Sequence, residues 1–210
     1  MLPSLLPLFP LPNVVLFPEV SLPLHVFEPR YREMLADALE GERLIGMVLL
    51  KAGYEAEYEG RPPVYAVGCA GLVTHAERLP DGRSNIVLQG LEKFRILDEC
   101  HDRAYRRARV EPLAEWPSAR VREPLRGARR RLESLVAPLV ERAGAEMKVP
   151  PTISDEELVN ALAQYLPLEA VEKQALLEQD GVLARCQALI DLLEMKAILT
   201  SRCQSSSFRH

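Results

Sequence analysis

The alternation of apolar and polar residues near the start of the chain predicts two strands followed by a helix. Residues 14–17 form an unbroken apolar run of strand length, and residues 22–26 place apolar side chains at every second position. Pro29 suits the first position of a helix, and apolar residues then recur at helical spacing until Gly41. Because proline fixes φ and lacks an N–H, four prolines are expected at strand ends, turns or sheet edges: Pro10, Pro12, Pro18 and Pro23.

Short strands continue to about residue 110. Residues 44–50 are an apolar run that predicts a central strand, and the acidic stretch 51–63 predicts a mobile loop. Residues 64–74 predict the first strand of a hairpin, because Pro80-Asp81-Gly82 has the composition of a tight turn. The remaining strands are expected at residues 86–88, around residues 94–96 and at residues 104–110. About six short strands and one short helix should therefore form a β domain.

The composition changes after Trp116-Pro117, where leucine, alanine, glutamate and arginine become abundant and hairpin motifs end. Pro138 should kink or end the first helix of this half, and Ser154 with Glu157 forms a capping box that starts the next helix. Pro167 should end that helix near Leu166. The sequence predicts an α+β protein with a β domain at 1–116, a helical domain at 117–203 and a frayed polar tail that includes residues 204–210.

Several motifs in the first half follow one another at a characteristic spacing. They are the opening stretch 8–31, Val67-Gly68-Cys69-Ala70-Gly71, the turn 79–83, residues 88–96 and residues 107–113. In this order they resemble the N-terminal substrate-binding domain of Lon, the ATP-dependent protease, and the helical half matches that family more loosely. The resemblance implies a PUA-like β domain followed by a helical domain, and a role in recognising polypeptide substrates. Lon proteins continue into ATPase and protease domains, which we do not expect in this chain.

The composition is that of an ordinary globular protein, and the formal net charge of −4 disfavours a surface built entirely for nucleic acid or anionic membrane. The start of the chain lacks the basic segment of a signal peptide, and no apolar stretch approaches the roughly 20 residues that cross a bilayer. We therefore expect a cytoplasmic protein without a membrane partner. Its four cysteines are far apart, which favours reduced thiols: Cys69, Cys100, Cys186 and Cys203.

No motif predicts catalysis. The sequence lacks the glycine-rich loop and lysine that hold nucleotide phosphates, and it lacks a G-x-S-x-G nucleophile turn. The four histidines are scattered, without the spacing that places two imidazoles on one metal ion. We therefore expect no catalytic residues, no metal site and no cofactor. An enzyme of unknown type is the third hypothesis.

Aromatic residues cluster in the opening stretch, in a chain that has few of them. Most should belong to the core, but two or three exposed beside a sheet edge would offer a groove for an extended or unfolded polypeptide. The candidate peptide-binding residues are Phe9, Phe17, His25, Phe27 and Tyr31. The leading hypothesis is therefore a non-catalytic polypeptide-recognition or adaptor module, with a protease or chaperone as a further partner.

Arginines concentrate in residues 103–131, where such a patch can neutralise nucleic-acid phosphates. A solvated face explains the same pattern, because arginine alternates with apolar residues along residues 106–110. The PUA fold, which the family resemblance implies, includes RNA binders, so an RNA-binding module is the alternative hypothesis. Its candidate residues are Arg107, Arg109, Arg129, Arg130 and Arg131.

Overall fold

The computed structural model describes residues 2–53, 60–115, 119–142, 150 and 152–207. These residues form a mixed α+β structure with six strands and five helices, which confirms the predicted fold class. The strands are β1 Leu5–Leu11, β2 Ser21–Val26, β3 Leu44–Leu49, β4 Val67–Arg78, β5 Ser84–Cys100 and β6 Arg106–Leu113. The helices are α1 Pro29–Glu40, α2 Ala119–Arg142, α3 Asp155–Tyr165, α4 Ala170–Leu177 and α5 Val182–Ser207.

The chain divides into two compact units. The first, here called the β unit, comprises Met1–Ala114 and Asn160–Glu178, and the second, the helical unit, comprises Glu115–Val159 and Gln179–His210. Residues 160–178 thus belong with the strands although they are helical. The division into domains at 1–116 and 117–203 stays a prediction.

The six strands form one sheet in the order β2-β5-β4-β3-β1-β6, and an additional β5–β6 pairing closes five of them into a ring. All pairings are antiparallel except β1 with β3. The long strand β5 makes this closure possible, because β4 covers one of its sides while β2 and β6 share the other. β2 pairs with residues 84–89 of β5 and β6 pairs with residues 93–100, so β2 lies outside the ring.

Two strand predictions were wrong in their details. Residues 14–17 are not a strand, although Val15, Leu16 and Phe17 are buried. The first strand is instead β1, which contains Pro7 and Pro10. Both prolines are tolerated because each lies where β1 is paired along one side only. β6 pairs with residues 5–8 and β3 pairs with residues 8–11, so only Leu8 has partners on both sides.

The strands predicted at 86–88 and 94–96 are one continuous strand, β5, which runs through Gly90. At Gly90 the chain that precedes β2 crosses close to the sheet, since Glu19 N–H donates to Gly90 O at 2.9 Å and Gly90 N–H donates to Val20 O at 2.9 Å. A Cβ atom at position 90 would collide with the carbonyl oxygen of Phe17. Glycine is therefore needed for this close approach rather than to end the strand.

Local turn and helix motifs formed as predicted. Gly82 has φ +81° in the β4–β5 hairpin, and the Asp81 carboxylate accepts a hydrogen bond from Arg83 N–H at 3.0 Å. α1 begins at Pro29 and buries one face of the helix, including Met34 and Leu35. The acidic loop predicted at 51–63 lies partly outside the described residues, which omit 54–59.

The helical unit has its own core, where Leu125, Leu132 and Val136 of α2 and Cys186 and Leu189 of α5 are buried. A capping hydrogen bond at the start of α3 is confirmed, because Glu157 N–H donates to Ser154 Oγ at 3.0 Å. α2 continues past Pro138 to its end at Arg142. α5 is helical to Ser207, and the fraying predicted from Ser201 stays a prediction.

Candidate polypeptide-binding surface

The strand β2 forms an edge of the sheet. In the described part of the chain it pairs along one side only, in the antiparallel register that joins Ser21 to Gln89 and Val26 to Ser84. Along β2, Ser21, Pro23 and His25 are exposed, whereas the residues between them are wholly or partly buried. One face of β2 therefore packs inward and the other presents its side chains to solvent.

The main chain of β2 is poorly suited to pairing with another strand. The hydroxyl of Tyr165 donates to Ser21 O at 2.6 Å, so this carbonyl group points away from β5. Because pairing directions alternate along an antiparallel ladder, the main-chain groups of Pro23 and His25 point the same way as those of Ser21. Pro23 has no N–H to donate, and Tyr165 already occupies an acceptor. These two features block a regular strand addition, so side chains must dominate any recognition at this edge.

Two ring side chains stand together at the end of β2. The rings of His25 and Phe27 stack with centroids 6.1 Å apart and an interplanar angle of 26°. His25 Nδ1 lies 2.8 Å from Asn85 Oδ1, and Asn85 Nδ2 donates to Glu77 Oε2 at 3.2 Å, so a polar chain across β2, β5 and β4 orients the imidazole. Phe27 is 58% exposed. A large exposed apolar ring thus lies beside an imidazole that a hydrogen bond orients.

Tyr165, at the end of α3, extends this surface toward the other end of β2. It belongs to the β unit, and its side chain is exposed although its hydroxyl is bonded to Ser21. We call the exposed side chains of Ser21, Pro23, His25 and Phe27, together with Tyr165, the β2 strip. At about 3.3 Å per residue, the distance from Ser21 to Phe27 is about 20 Å, which matches an extended segment of about six residues.

Three of the five candidate peptide-binding residues lie in the core. Phe9 and Tyr31 are buried with their ring centroids 4.6 Å apart, and Phe17 is 0% exposed with its N–H donating to Gln164 Oε1 at 3.1 Å. Of the predicted group, the structure thus brings only His25 and Phe27 together on the surface. Sequence reasoning missed Tyr165, whose contact with β2 joins residues separated by 144 positions.

The arginines of the alternative site are mostly paired with carboxylates of their own unit. In the β unit, Arg107 pairs with Asp102, and Arg109 lies 2.9 Å from Asp98. The hydrogen bond from Arg107 is the main cause that lowers the pKa of Asp102. A phosphate would have to compete with these carboxylates, so the strand arginines do not form an open basic patch.

Two of the three candidate arginines of α2 are likewise paired with carboxylates, here within the helical unit. Arg129 contacts Asp155 at 2.7 Å and Glu133 at 2.9 Å, and Arg131 contacts Glu194 at 2.7 Å. Burial acts to lower the pKa of Arg129, but these two hydrogen-bonded carboxylates outweigh it and the pKa is raised. Arg130 is exposed. The five candidate arginines are thus divided between two units instead of meeting on one.

The described residues include no group of three or more histidine, cysteine, aspartate or glutamate side chains that could hold a metal ion. Cys69 and Cys186 are buried, and burial raises the pKa of the Cys186 thiol to about 11, far from the depressed pKa of a reactive cysteine. None of the described helices is both long enough and apolar enough to span a membrane.

A family model and two related proteins all link this chain to Lon proteases. The family model of the substrate-binding domain of ATP-dependent protease La (LON) matches residues 5–195. Lon protease of Trichlorobacter lovleyi is 31% identical over 199 residues, which is 91% of this chain and 24% of that protein. Lon protease of Cytophaga hutchinsonii is 27% identical over 205 residues, again 24% of its length. The chain spans about a quarter of the length of these relatives.

Two solved structures have the same fold. The N-terminal domain of Mycobacterium avium complex Lon protease matches with a TM-score of 0.69 and 17% identity, covering 90% of this chain and 98% of that one. A Lon N-terminal domain protein from Xanthomonas campestris matches with a TM-score of 0.60 and 24% identity, with the same coverage of both chains.

Proposed function

Because the chain belongs to the family of the substrate-binding domain of ATP-dependent protease La (LON), we propose that it binds unfolded or extended polypeptide segments through the β2 strip. The observation that carries this proposal is the His25–Phe27 ring pair, which is held in solvent beside an edge strand. An exposed aromatic ring offers a large apolar contact area with few rotatable bonds to order on binding, which suits an anchor residue.

We propose recognition through side chains because the main chain of β2 is poorly suited to pairing with another strand. Pro23 lacks a donor and Tyr165 holds the carbonyl of Ser21, so a ligand gains few main-chain bonds there. The rings of Phe27 and Tyr165 instead offer apolar contacts near the two ends of the strip. We therefore propose a preference for segments with two bulky apolar residues spaced along an extended chain.

The helical unit has an apolar surface too, where Met195, Ile198 and Leu199 of α5 are exposed. We favour the β2 strip because a polar chain through Asn85 orients its histidine and because Tyr165 is tied to Ser21. Such fixed geometry reduces the entropy lost on binding.

The proposal is tested with Phe27→Ala and a fluorescent, permanently unfolded apolar polypeptide. We expect the binding free energy to weaken by about 1 to 3 kcal/mol, as for a truncated hot-spot residue. Leu97→Ala is the matched control, because Leu97 is also an exposed apolar residue of the β unit, on β5. Equal affinity of the wild type and both variants, measured by fluorescence anisotropy, would contradict the proposal.

We further propose that the chain acts without catalysis, as an adaptor in the cytoplasm that delivers segments to a protease or chaperone. Its similarity is to a substrate-binding domain and extends over about a quarter of the Lon proteases compared. The purified chain should neither hydrolyse ATP nor degrade casein. Turnover that co-purifies with the chain and disappears after a point substitution would overturn this part of the proposal.

A further inference from the structure

The β unit contains a cavity whose chemical character differs from that of the β2 strip. It has a volume of about 200 Å³, and its walls include three arginines and two tyrosines. Arg30 and Tyr31 come from the start of α1, Arg61 precedes β4, and Tyr105 and Arg106 lie at the start of β6. We call this cavity the arginine pocket. Arginine residues from three separate segments line it.

Within the described part of the chain, the carboxylates near the arginine pocket compensate this charge only partly. Glu28 holds Arg30 at 2.9 Å, whereas Glu99 is shared between Arg106 at 3.4 Å and Arg61 at 4.0 Å. The side chain of Arg106 is only 6% exposed. Burial is the main cause that lowers the pKa of Arg106, and Arg61 and Arg30 lower it further against the opposing effect of Glu99. An added anion would relieve this repulsion.

The hydrogen bonds that Arg61 makes to the described residues are long. Among the described residues, its hydrogen bonds go to Cys100 O at 3.4 Å and Arg103 O at 3.3 Å, both longer than the usual length of about 2.9 to 3.0 Å. A guanidinium carries about five N–H donors in a planar fork that suits the oxygen atoms of an oxyanion. Arg61 can therefore turn toward an anion at the loss of two weak bonds.

The tyrosine beside these arginines does not oppose an anion. The hydroxyl of Tyr105 donates to Asp37 Oδ2 at 2.6 Å. Burial, followed by this hydrogen bond to Asp37, raises the pKa of Tyr105 to about 12. The phenol therefore stays neutral at physiological pH, and among the described residues of the cavity wall the charged side chains are the three arginines.

We propose that the arginine pocket binds a phosphate group, as the free ion or as a small phosphate ester. Three guanidiniums approaching from different segments match the several acceptor oxygens of a tetrahedral dianion better than the two of a carboxylate. This site is distinct from the β2 strip, and the inference does not rest on the proposed polypeptide binding. It adds a ligand-binding function that polypeptide recognition does not require.

The test is calorimetric titration of the full chain with inorganic phosphate and, separately, with phosphoserine, at pH 8 and constant ionic strength. We expect saturable binding of phosphate, and we expect Arg61→Gln to weaken it about tenfold or more, equivalent to about 1.4 kcal/mol. The control is Arg83→Gln, since Arg83 is an exposed arginine of the β4–β5 hairpin that pairs with Asp81. That variant should bind phosphate as the wild type does.

Each outcome decides the inference. Binding of inorganic phosphate alone assigns the pocket to the free ion, and binding of phosphoserine as well assigns it to phosphate esters. Failure of both ligands to bind, unchanged affinity in a folded Arg61→Gln variant, or equal binding of acetate overturns the proposal. If Arg61→Gln unfolds, Arg30→Gln replaces it, because Arg30 contributes from the start of α1, where its side chain is 22% exposed, and should show the same loss.

Discussion

Phe17 and Phe27 carry the same side chain in one stretch of the chain, yet Phe17 is fully buried and Phe27 projects into solvent. The segment around Phe17 crosses the sheet at Gly90, and Gln164 of α3 accepts the hydrogen bond of its N–H. Phe27 follows an edge strand and is stacked on His25. Distant parts of the chain therefore decide which aromatic residue stabilises the fold and which is available to a ligand.

The largest expected effect concerns the buried member of this pair. Phe17→Ala should lower the free energy of unfolding by about 3 to 5 kcal/mol, because it leaves a cavity in a packed core. Phe27→Ala should change it by about 0.5 kcal/mol or less, since its ring is mostly exposed. Urea denaturation of both variants measures the difference. Similar losses for the two would mean that Phe27 also supports the fold.

A smaller effect is expected at the crossing itself. Gly90→Ala should cost about 1 to 3 kcal/mol, because the new Cβ atom would meet the carbonyl oxygen of Phe17 and the segment would have to move. Gly127→Ala is the control, as a Cβ atom there meets nothing within 4 Å among the described residues. Alanine in the interior of α2 should stabilise the protein by about 1 kcal/mol. A loss of stability in both variants would point to a general intolerance of substitution.

The smallest expected effect is that of salt on polypeptide binding. Apolar contacts at the β2 strip should give an affinity that changes little between low and high salt, whereas phosphate contacts release counterions and weaken steeply. Replacing Arg129, Arg130 and Arg131 together should also leave polypeptide affinity nearly unchanged. Tight RNA binding that is lost with salt and in this triple variant, without detectable polypeptide binding, would favour the RNA-binding hypothesis.

The sequence was sufficient for features that depend on neighbouring residues. The hairpin turn at Gly82, the cap of α3 at Ser154 and the start of α1 at Pro29 follow from local backbone chemistry, and all three formed as predicted. The α+β class followed from periodicity in the same way. These features need no knowledge of the remainder of the chain.

Features that depend on distant residues could not be predicted from local patterns. The sequence predicted separate strands before and after Gly90, whereas Gly90 lies within β5, at the point where the segment around Phe17 passes close to it. The buried state of Phe17 depends on Gln164, and the β2 strip is incomplete without Tyr165. Each of these contacts joins the opening stretch to residues far along the chain, where hydrophobic periodicity carries no information about pairing.

The most direct test of the account maps a bound polypeptide onto the chain by backbone NMR. Titration with a short apolar, unfolded peptide should shift the amide resonances of residues 21–27 and of the residues around Tyr165, and with Phe27→Ala the same shifts should require a higher peptide concentration, in line with a loss of about 1 to 3 kcal/mol. Shifts centred on Arg107 and Arg109, or on the exposed apolar end of α5 at Ile198, would contradict the assignment of polypeptide binding to the β2 strip.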